Sequence, residues 1–230
     1  MRVIDRLLDA IFPPRCAGCA RLGAHFCDRC VTDVRPVKPP WCASCGATLR
    51  AGSGEHVCVD CRADRLPLDA VRSAGLLEGP LRRAVHRLKY RGQTGAARAL
   101  AGLLPAAVGL AGPLPPDTVV VPVPLHAARK RERGFNQAEA LAAPLAAALR
   151  LRLEPAVLRV RETASQVGLS RGARRANLRD AFTANESLAG AAVLLVDDVV
   201  TTGSTLGSAA AACRTRGARA VYAVTLAREA

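Results

Sequence analysis

The stretch VLLVDDVVTTGSTL, Val193 to Leu206, decides the fold. Val193 to Val196 are apolar and suit a buried strand, and Asp197 and Asp198 stand at its C-terminal end. Thr201, Thr202, Gly203, Ser204 and Thr205 then make a hydroxyl-rich turn that runs straight into a helix. Ligands of open α/β sheets sit outside the carboxyl ends of strands, so both acids are expected to face a crevice. Gly203 lets backbone approach a ligand, and the hydroxyls with the free helix N–H groups form an anion cradle. Carboxylates accept hydrogen bonds from a cis-diol while the cradle holds a phosphate; together they describe a sugar phosphate. A strand ending in an Asp turn with a Thr or Ser cap explains one acid and one hydroxyl, not this whole set. A nucleotide triphosphatase needs G-x4-G-K-[ST], and the chain has no Gly-Lys pair; G-x-G-x-x-G is absent too.

Outward from this segment, strands alternate with helices. Thr118–Val123 is a β-branched strand, followed by a basic loop, LHAARKRERGF, and an Ala/Leu helix from about Asn136 to Leu149. Phe135 and Asn136 read as a packing anchor and a helix cap. Ala156–Val160 is a weaker strand, Ala191–Val196 the strand before the acids, Ser204–Arg216 a helix and Arg219–Leu226 a closing strand. Arg161 to Arg179 is Arg-rich, turn-prone and too long for a simple connector, which suits a lid. Upstream, Leu68–Leu77 is extended and Leu81 to Gly92 is a basic amphipathic helix. Its stripe is Leu81, Val85 and Leu88, and its wet face Arg82, Arg83, Arg87, Lys89 and Arg91. Thr94–Leu110 is helical, ended by Gly and Pro up to Pro116. The expected class is α/β with a mostly parallel sheet.

Eight of the nine cysteines fall between Cys16 and Cys61, always as C-x2-C: Cys16/Cys19, Cys27/Cys30, Cys42/Cys45 and Cys58/Cys61. Disulfides need an oxidising compartment, and a thioredoxin-like site needs one such pair, not four. Zinc ribbons need this spacing, because each tight turn aims two thiolates at one tetrahedral ion. About two structural zinc ions are expected, with sequential and interleaved pairing both open. His25 and His56 lie nearby, but two complete four-cysteine sets need neither. Cys213 sits alone in an Ala-rich helix as a small core residue. The organisation expected is an N-terminal helix and double ribbon over 1–66 and an α/β domain over 67–230. The ribbon lacks a large apolar core, so zinc must stabilise it, whereas the α/β part has its own apolar strands.

The chain has 230 residues, half hydrophobic and 23% charged, enough to bury a core. Its formal charge of +14 favours anionic partners, falling to about +10 once two zinc sites of net −2 each are counted. Aromatics at 3% are thin for stacking single-stranded bases. The start carries Val3, Ile4, Leu7, Leu8 and Ile11 at helical spacing, but Asp5, Arg6 and Asp9 break any signal peptide. The longest uncharged run, Ala99–Pro116, is broken by Gly and Pro, so no membrane span and a cytoplasmic location are expected.

Val193–Leu206 resembles the phosphoribosyl pyrophosphate (PRPP) signature of type I phosphoribosyltransferases. With the four C-x2-C pairs, HRLKYRG (His86–Gly92), VPVPLHAARKRERGFNQAEALA (Val121–Ala142) and RETASQVGLSRGARRANLRDAF (Arg161–Phe182), the chain resembles the ComF/GntX-like proteins associated with competence and DNA uptake. The resemblance covers nearly the whole chain. It implies a type I phosphoribosyltransferase fold in which Asp197 and Asp198 hold the ribose hydroxyls, directly or through Mg2+, and Thr201–Thr205 wrap the 5-phosphate. The Pro124–His126 turn matches the place of the pyrophosphate loop, although its prolines depart from the usual small polar residues. Arg129, Arg131 and Arg133 are candidates to neutralise the diphosphate. Thr163, Gln166, Ser170, Arg174, Arg175 and Asn177 are candidates for the lid. The implied chemistry is pentosyl transfer, displacement of pyrophosphate at C1 of PRPP through an oxocarbenium-like transition state. Single-stranded DNA or DNA-uptake and processing proteins are the implied partners. The competing reading is a non-catalytic, PRPP-sensing adaptor that binds nucleic acid through its ribbons.

Overall fold

The computed structural model describes residues 13–52, 54, 56–90, 94–161 and 181–229. The helix expected over residues 1–11 and the lid candidates Thr163, Gln166, Ser170, Arg174, Arg175 and Asn177 lie outside them.

Two five-residue helices, α1 (Asp28–Thr32) and α2 (Val59–Ala63), each end a cysteine segment. Strand β1 (Ala70–Leu76) leads into α3 (Gly79–Tyr90), α4 (Thr94–Ala101) and α5 (Leu104–Gly109). Gly102 lies at the break between α4 and α5, splitting the helix expected over Thr94–Leu110. Then follow β2 (Val119–Pro122), α6 (Ala127–Arg133), α7 (Gln137–Leu149), β3 (Arg152–Leu153) and β4 (Val157–Arg159). After the undescribed segment come β5 (Phe182–Ala184), β6 (Ala192–Val200), α8 (Ser204–Thr215) and β7 (Ala220–Arg228).

Strands β1, β7, β6, β2 and β3 pair in that order, every neighbour parallel. Helices must therefore return each strand, as the alternating pattern requires. The weak strand near residue 158 leaves this sheet and pairs antiparallel with β5. The β-branched runs alternate faces as a pleated strand dictates. Val119, Val121, Val193, Leu195, Val221 and Ala223 enter one core with α8 and the β4–β5 pair. Val120, Leu194, Val196, Val224 and Leu226 enter the other with α3, α4, α5 and α7.

The cysteine region divides between these two cores. Cys42, Cys45, Cys61 and Leu66 are buried in the first, and Cys16, Cys30 and Phe26 in the second. Zinc is thus expected to stabilise both faces of the sheet, a wider reach than the composition of the ribbon suggested. Cys213 is fully buried in the first core, as expected. No helix among the described residues is long and apolar enough to cross a membrane.

Candidate functional site

Strand β6 runs four residues beyond the expected Val196, so the acids lie within it. The reason is the partner strand. Asp197, Val199 and Val200 pair with Thr225, Ala227 and Arg228 of β7, whereas the bond from Val123 N–H to the Val196 carbonyl, 2.9 Å, ends pairing on the β2 side. The sheet is open at Asp197 on the β2 side only. There the chain leaves as the Pro124–His126 turn, so that turn departs beside the acids.

The two carboxylates have different surroundings. Asp198 is buried and its Oδ2 lies 3.2 Å from Lys89 Nζ at the end of α3. Asp197 is half-buried, and its Oδ1 accepts the Asp198 backbone N–H at 2.8 Å. Burial and the neighbouring Asp198 charge push the Asp197 carboxyl up to about 7, against the opposing pull of that N–H, Lys89 and Arg159. Burial holds the Arg159 guanidinium of β4 below its usual range, with the Arg129 charge of α6 adding to this and Asp197 opposing it. Arg133 turns instead to Gln137, 3.3 Å away, and to the Tyr90 ring at 5.3 Å. Arg131 is exposed. His126 Nδ1 caps α6 by accepting the Ala128 N–H at 3.3 Å. Asn136 is the cap expected for α7: its Oδ1 accepts the Ala138 N–H at 3.0 Å while its Nδ2 donates to the Val123 carbonyl at 3.1 Å.

Thr201 to Thr205 form the turn into α8. Gly203 has φ +79, the left-handed region that only glycine enters cheaply, and Thr202 and Ser204 hydroxyls lie 2.8 Å apart behind it. The close approach at Gly203 is to protein: an added Cβ would sit 2.7 Å from Leu66 Cδ1, and one on Gly207 2.7 Å from Leu66 Cδ2. Gly203→Val is therefore expected to lose stability, about 1–2 kcal/mol from the backbone and about 1–3 from overpacking. Thermal melts check this. An unchanged midpoint would mean that Leu66 gives way freely.

Magnesium prefers oxygen donors and is commonly held by one or two carboxylates plus substrate phosphates. Asp197 fits that use, while Asp198 is already ion-paired. The clusters able to hold a metal through protein side chains alone, among the described residues, are the two cysteine sets.

Those sets pair sequentially. Cys16, Cys19, Cys27 and Cys30 converge, as do Cys42, Cys45, Cys58 and Cys61, with sulfurs in each set within 4.8 Å of one another. A tetrahedral ion with Zn–S of about 2.3 Å requires S···S edges of about 3.8 Å. The Cys16–Cys30, Cys19–Cys27 and Cys45–Cys58 separations are 3.6, 3.7 and 3.8 Å, so both sets fit zinc. Backbone N–H groups of Cys27 and Cys58 point at the sulfurs of Cys16 and Cys42, at 3.4 and 3.3 Å. Burial raises the Cys16 and Cys42 thiols, but backbone N–H donors outweigh it and bring each to about 6. Both sets have four thiolates and no open position, which makes them structural.

Local reading missed Arg159, Arg228 and Leu66, and took Arg83, Arg87 and Lys89 for solvated residues. Arg83 donates to the Gly18 carbonyl, and Arg87 to those of Cys16 and Ala17 at 2.9 Å, so α3 clasps the first ribbon. Lys89 did carry a signal: it follows Val85 by four residues and so borders the apolar stripe.

A parallel sheet, an antiparallel side pair, an acid-bearing strand running into a hydroxyl turn and two four-cysteine sites define a phosphoribosyltransferase-fold protein with a double zinc ribbon. Comparison with known families agrees, since residues 7–62 match the double zinc ribbon domain and residues 118–230 the phosphoribosyl transferase domain. The chain belongs to the ComF/YhgH family. It is 36% identical over 207 residues to the DNA utilization protein YhgH of Salmonella typhi, covering 88% of this chain and 90% of that one. To competence protein F of Haemophilus influenzae it is 34% identical over 210 residues, with coverages of 88% and 90%. To competence protein ComFC of Bacillus subtilis it is 30% identical over 209 residues, with coverages of 88% and 83%.

Proposed function

We propose that this protein binds PRPP with Mg2+ and transfers its phosphoribosyl group to an acceptor during the uptake or use of DNA. The observation that carries this reading is the placement of Asp197 at the sheet edge left open beside β2, four residues before the Thr201–Thr205 turn. Asp197 accepts the ribose hydroxyls, and Lys89 fixes Asp198 behind it. The Thr202 and Ser204 hydroxyls and the first N–H groups of α8 hold the 5-phosphate. Arg129 and Arg159 face the diphosphate, whose charge Mg2+ offsets when bound. Attack at C1 forms the bond to the acceptor and breaks the bond to the diphosphate oxygen, which leaves with the electron pair as pyrophosphate. The protein's part is positioning and charge stabilisation of the oxocarbenium-like state. Relatives named for DNA utilization and competence support placing the reaction in DNA uptake or processing. The proposed division of the chain is a ribbon over 1–66 and a transferase domain over 67–230.

The reading is tested by titrating PRPP with Mg2+ into the full chain and measuring pyrophosphate release, alone and with single-stranded DNA or nucleobases. Binding with acceptor-dependent release is expected, and absence of PRPP binding overturns the proposal. Binding without release under every acceptor would favour the PRPP-sensing adaptor, a reading that the net charge of +14 supports. In that case DNA affinity should be phosphate-driven, without sequence preference, and fall steeply with salt.

A further inference from the structure

Arg228 closes β7, is only 5% exposed, and pairs with no carboxylate among the described residues. Its terminal nitrogens donate to two carbonyls, that of Cys45 and, at 3.5 Å, that of Thr201, while its Nε has no partner among the described residues. A buried guanidinium needs a counter-charge. The bond to the Cys45 carbonyl sets the guanidinium against the turn that carries Cys42 and Cys45, two members of the second cysteine set. A zinc-loaded set of four thiolates carries a net charge of about −2 and supplies that counter-charge.

A second strut runs through Leu66. Its backbone N–H donates to Ser44 Oγ at 3.0 Å, inside the Cys42–Cys45 turn, and its δ-methyls fill the space that Gly203 and Gly207 leave open. Both struts start at the second cysteine set and end on the hydroxyl turn or the helix behind it. The first set is held by Arg83 and Arg87 of α3 instead.

We propose that the Cys42, Cys45, Cys58 and Cys61 site is the support that holds the Thr201–Thr205 turn in its ligand-ready shape, with Arg228 as its counter-ion and positioning residue and Leu66 as its wedge. The inference rests on the turn being the phosphate site. Zinc at this set and phosphate at the turn are then coupled, and the coupling is reciprocal: a bound phosphate ligand slows loss of the metal.

The test uses the full zinc-loaded chain as wild type, Arg228→Met and Leu66→Ala. Amide hydrogen exchange is read at residues 200–207 and at β2, together with zinc content, PRPP–Mg2+ affinity and zinc release to a chelating dye with and without PRPP. Both variants are expected to exchange faster at 200–207 while β2 keeps its protection, and Arg228→Met to bind PRPP about tenfold more weakly, as loss of a charged donor implies. PRPP should slow zinc release in the wild type, and less so in Arg228→Met. Unchanged exchange at 200–207 in both variants, or faster exchange spread equally to β2, overturns the proposal. If wild type does not bind PRPP, the functional reading fails, while the exchange data still decide whether the second cysteine set supports the turn.

Discussion

Stripping zinc with a strong chelator is expected to unfold the whole chain in one transition rather than the ribbon alone. Structural zinc sites contribute about 10–16 kcal/mol in small zinc modules, against a typical domain stability of about 5–15 kcal/mol. Two such sites therefore outweigh the rest of the fold if their loss propagates, and the packing says that it does. Cys16, Cys30 and Phe26 belong to the core that contains Leu81, Leu88 and Val224, and Cys42, Cys45 and Cys61 to the core that contains Val71, Val193 and Cys213. Releasing the first ribbon frees Arg83 and Arg87 from their carbonyls and exposes α3. Releasing the second removes the counter-charge of Arg228 and the anchor of Leu66. Far-ultraviolet circular dichroism and a zinc-release assay, followed together during chelation, should show helix loss in step with metal loss. A chain that gives up both ions yet keeps a cooperative melt near the original midpoint would show that the α/β part stands alone, as its apolar strands by themselves suggest.

What could be read from the sequence was local. The acids, the hydroxyl turn and the helix after it are consecutive, so Asp197 to Thr205 appear as one pattern, and C-x2-C fixes each half of a zinc site. Strands β2, β6 and β7 were legible as apolar or β-branched runs, β1 as an extended segment and Asn136 as a cap, whereas the short strands Arg152–Leu153 and Phe182–Ala184 were not. The remainder depends on contacts between distant residues, which periodicity does not encode. Lys89 reaches Asp198, and Arg228 reaches Cys45 across 183 positions. Sequential pairing of the cysteine sets needed the three-dimensional arrangement, because either pairing satisfies the spacing. Gly203 was read as room for a ligand, whereas the room is taken by Leu66, buried 137 residues upstream. The extension of β6 past Val196 likewise depends on β7 continuing beside it. A strand's length is set by its partner as much as by its own residues.

Neutralising the two acids one at a time is expected to move stability in opposite directions while both changes lose PRPP. Asp197 has its carboxyl raised from 3.8 to about 7 by burial and the adjacent Asp198 charge. With the folded value above the unfolded one, the folded state holds more protons between these limits. Stability is therefore greatest on the acid side and falls as pH rises through about 7. Asp197→Asn removes that penalty, so at pH 8 the variant should be more stable by about 1–3 kcal/mol, and the decline between pH 4 and 7 should flatten. Asp198→Asn takes the partner from Lys89 in a pair whose side chains are 23% and 10% exposed. Leaving that ammonium largely buried without its counter-ion should cost about 1–3 kcal/mol, less than a fully buried pair would. Ligand binding has the reverse pH dependence from the apo fold, because ribose hydroxyls and Mg2+ require the ionised carboxylate: PRPP affinity in the wild type should rise as pH rises through about 7. Thermal melts of both single variants from pH 4 to 8, with calorimetric titration of PRPP and Mg2+ at three pH values, separate these effects. An Asp197→Asn chain that melts lower than wild type at pH 8, or that binds PRPP with wild-type affinity, would mean that Asp197 is a structural carboxylate and that the sugar is held elsewhere.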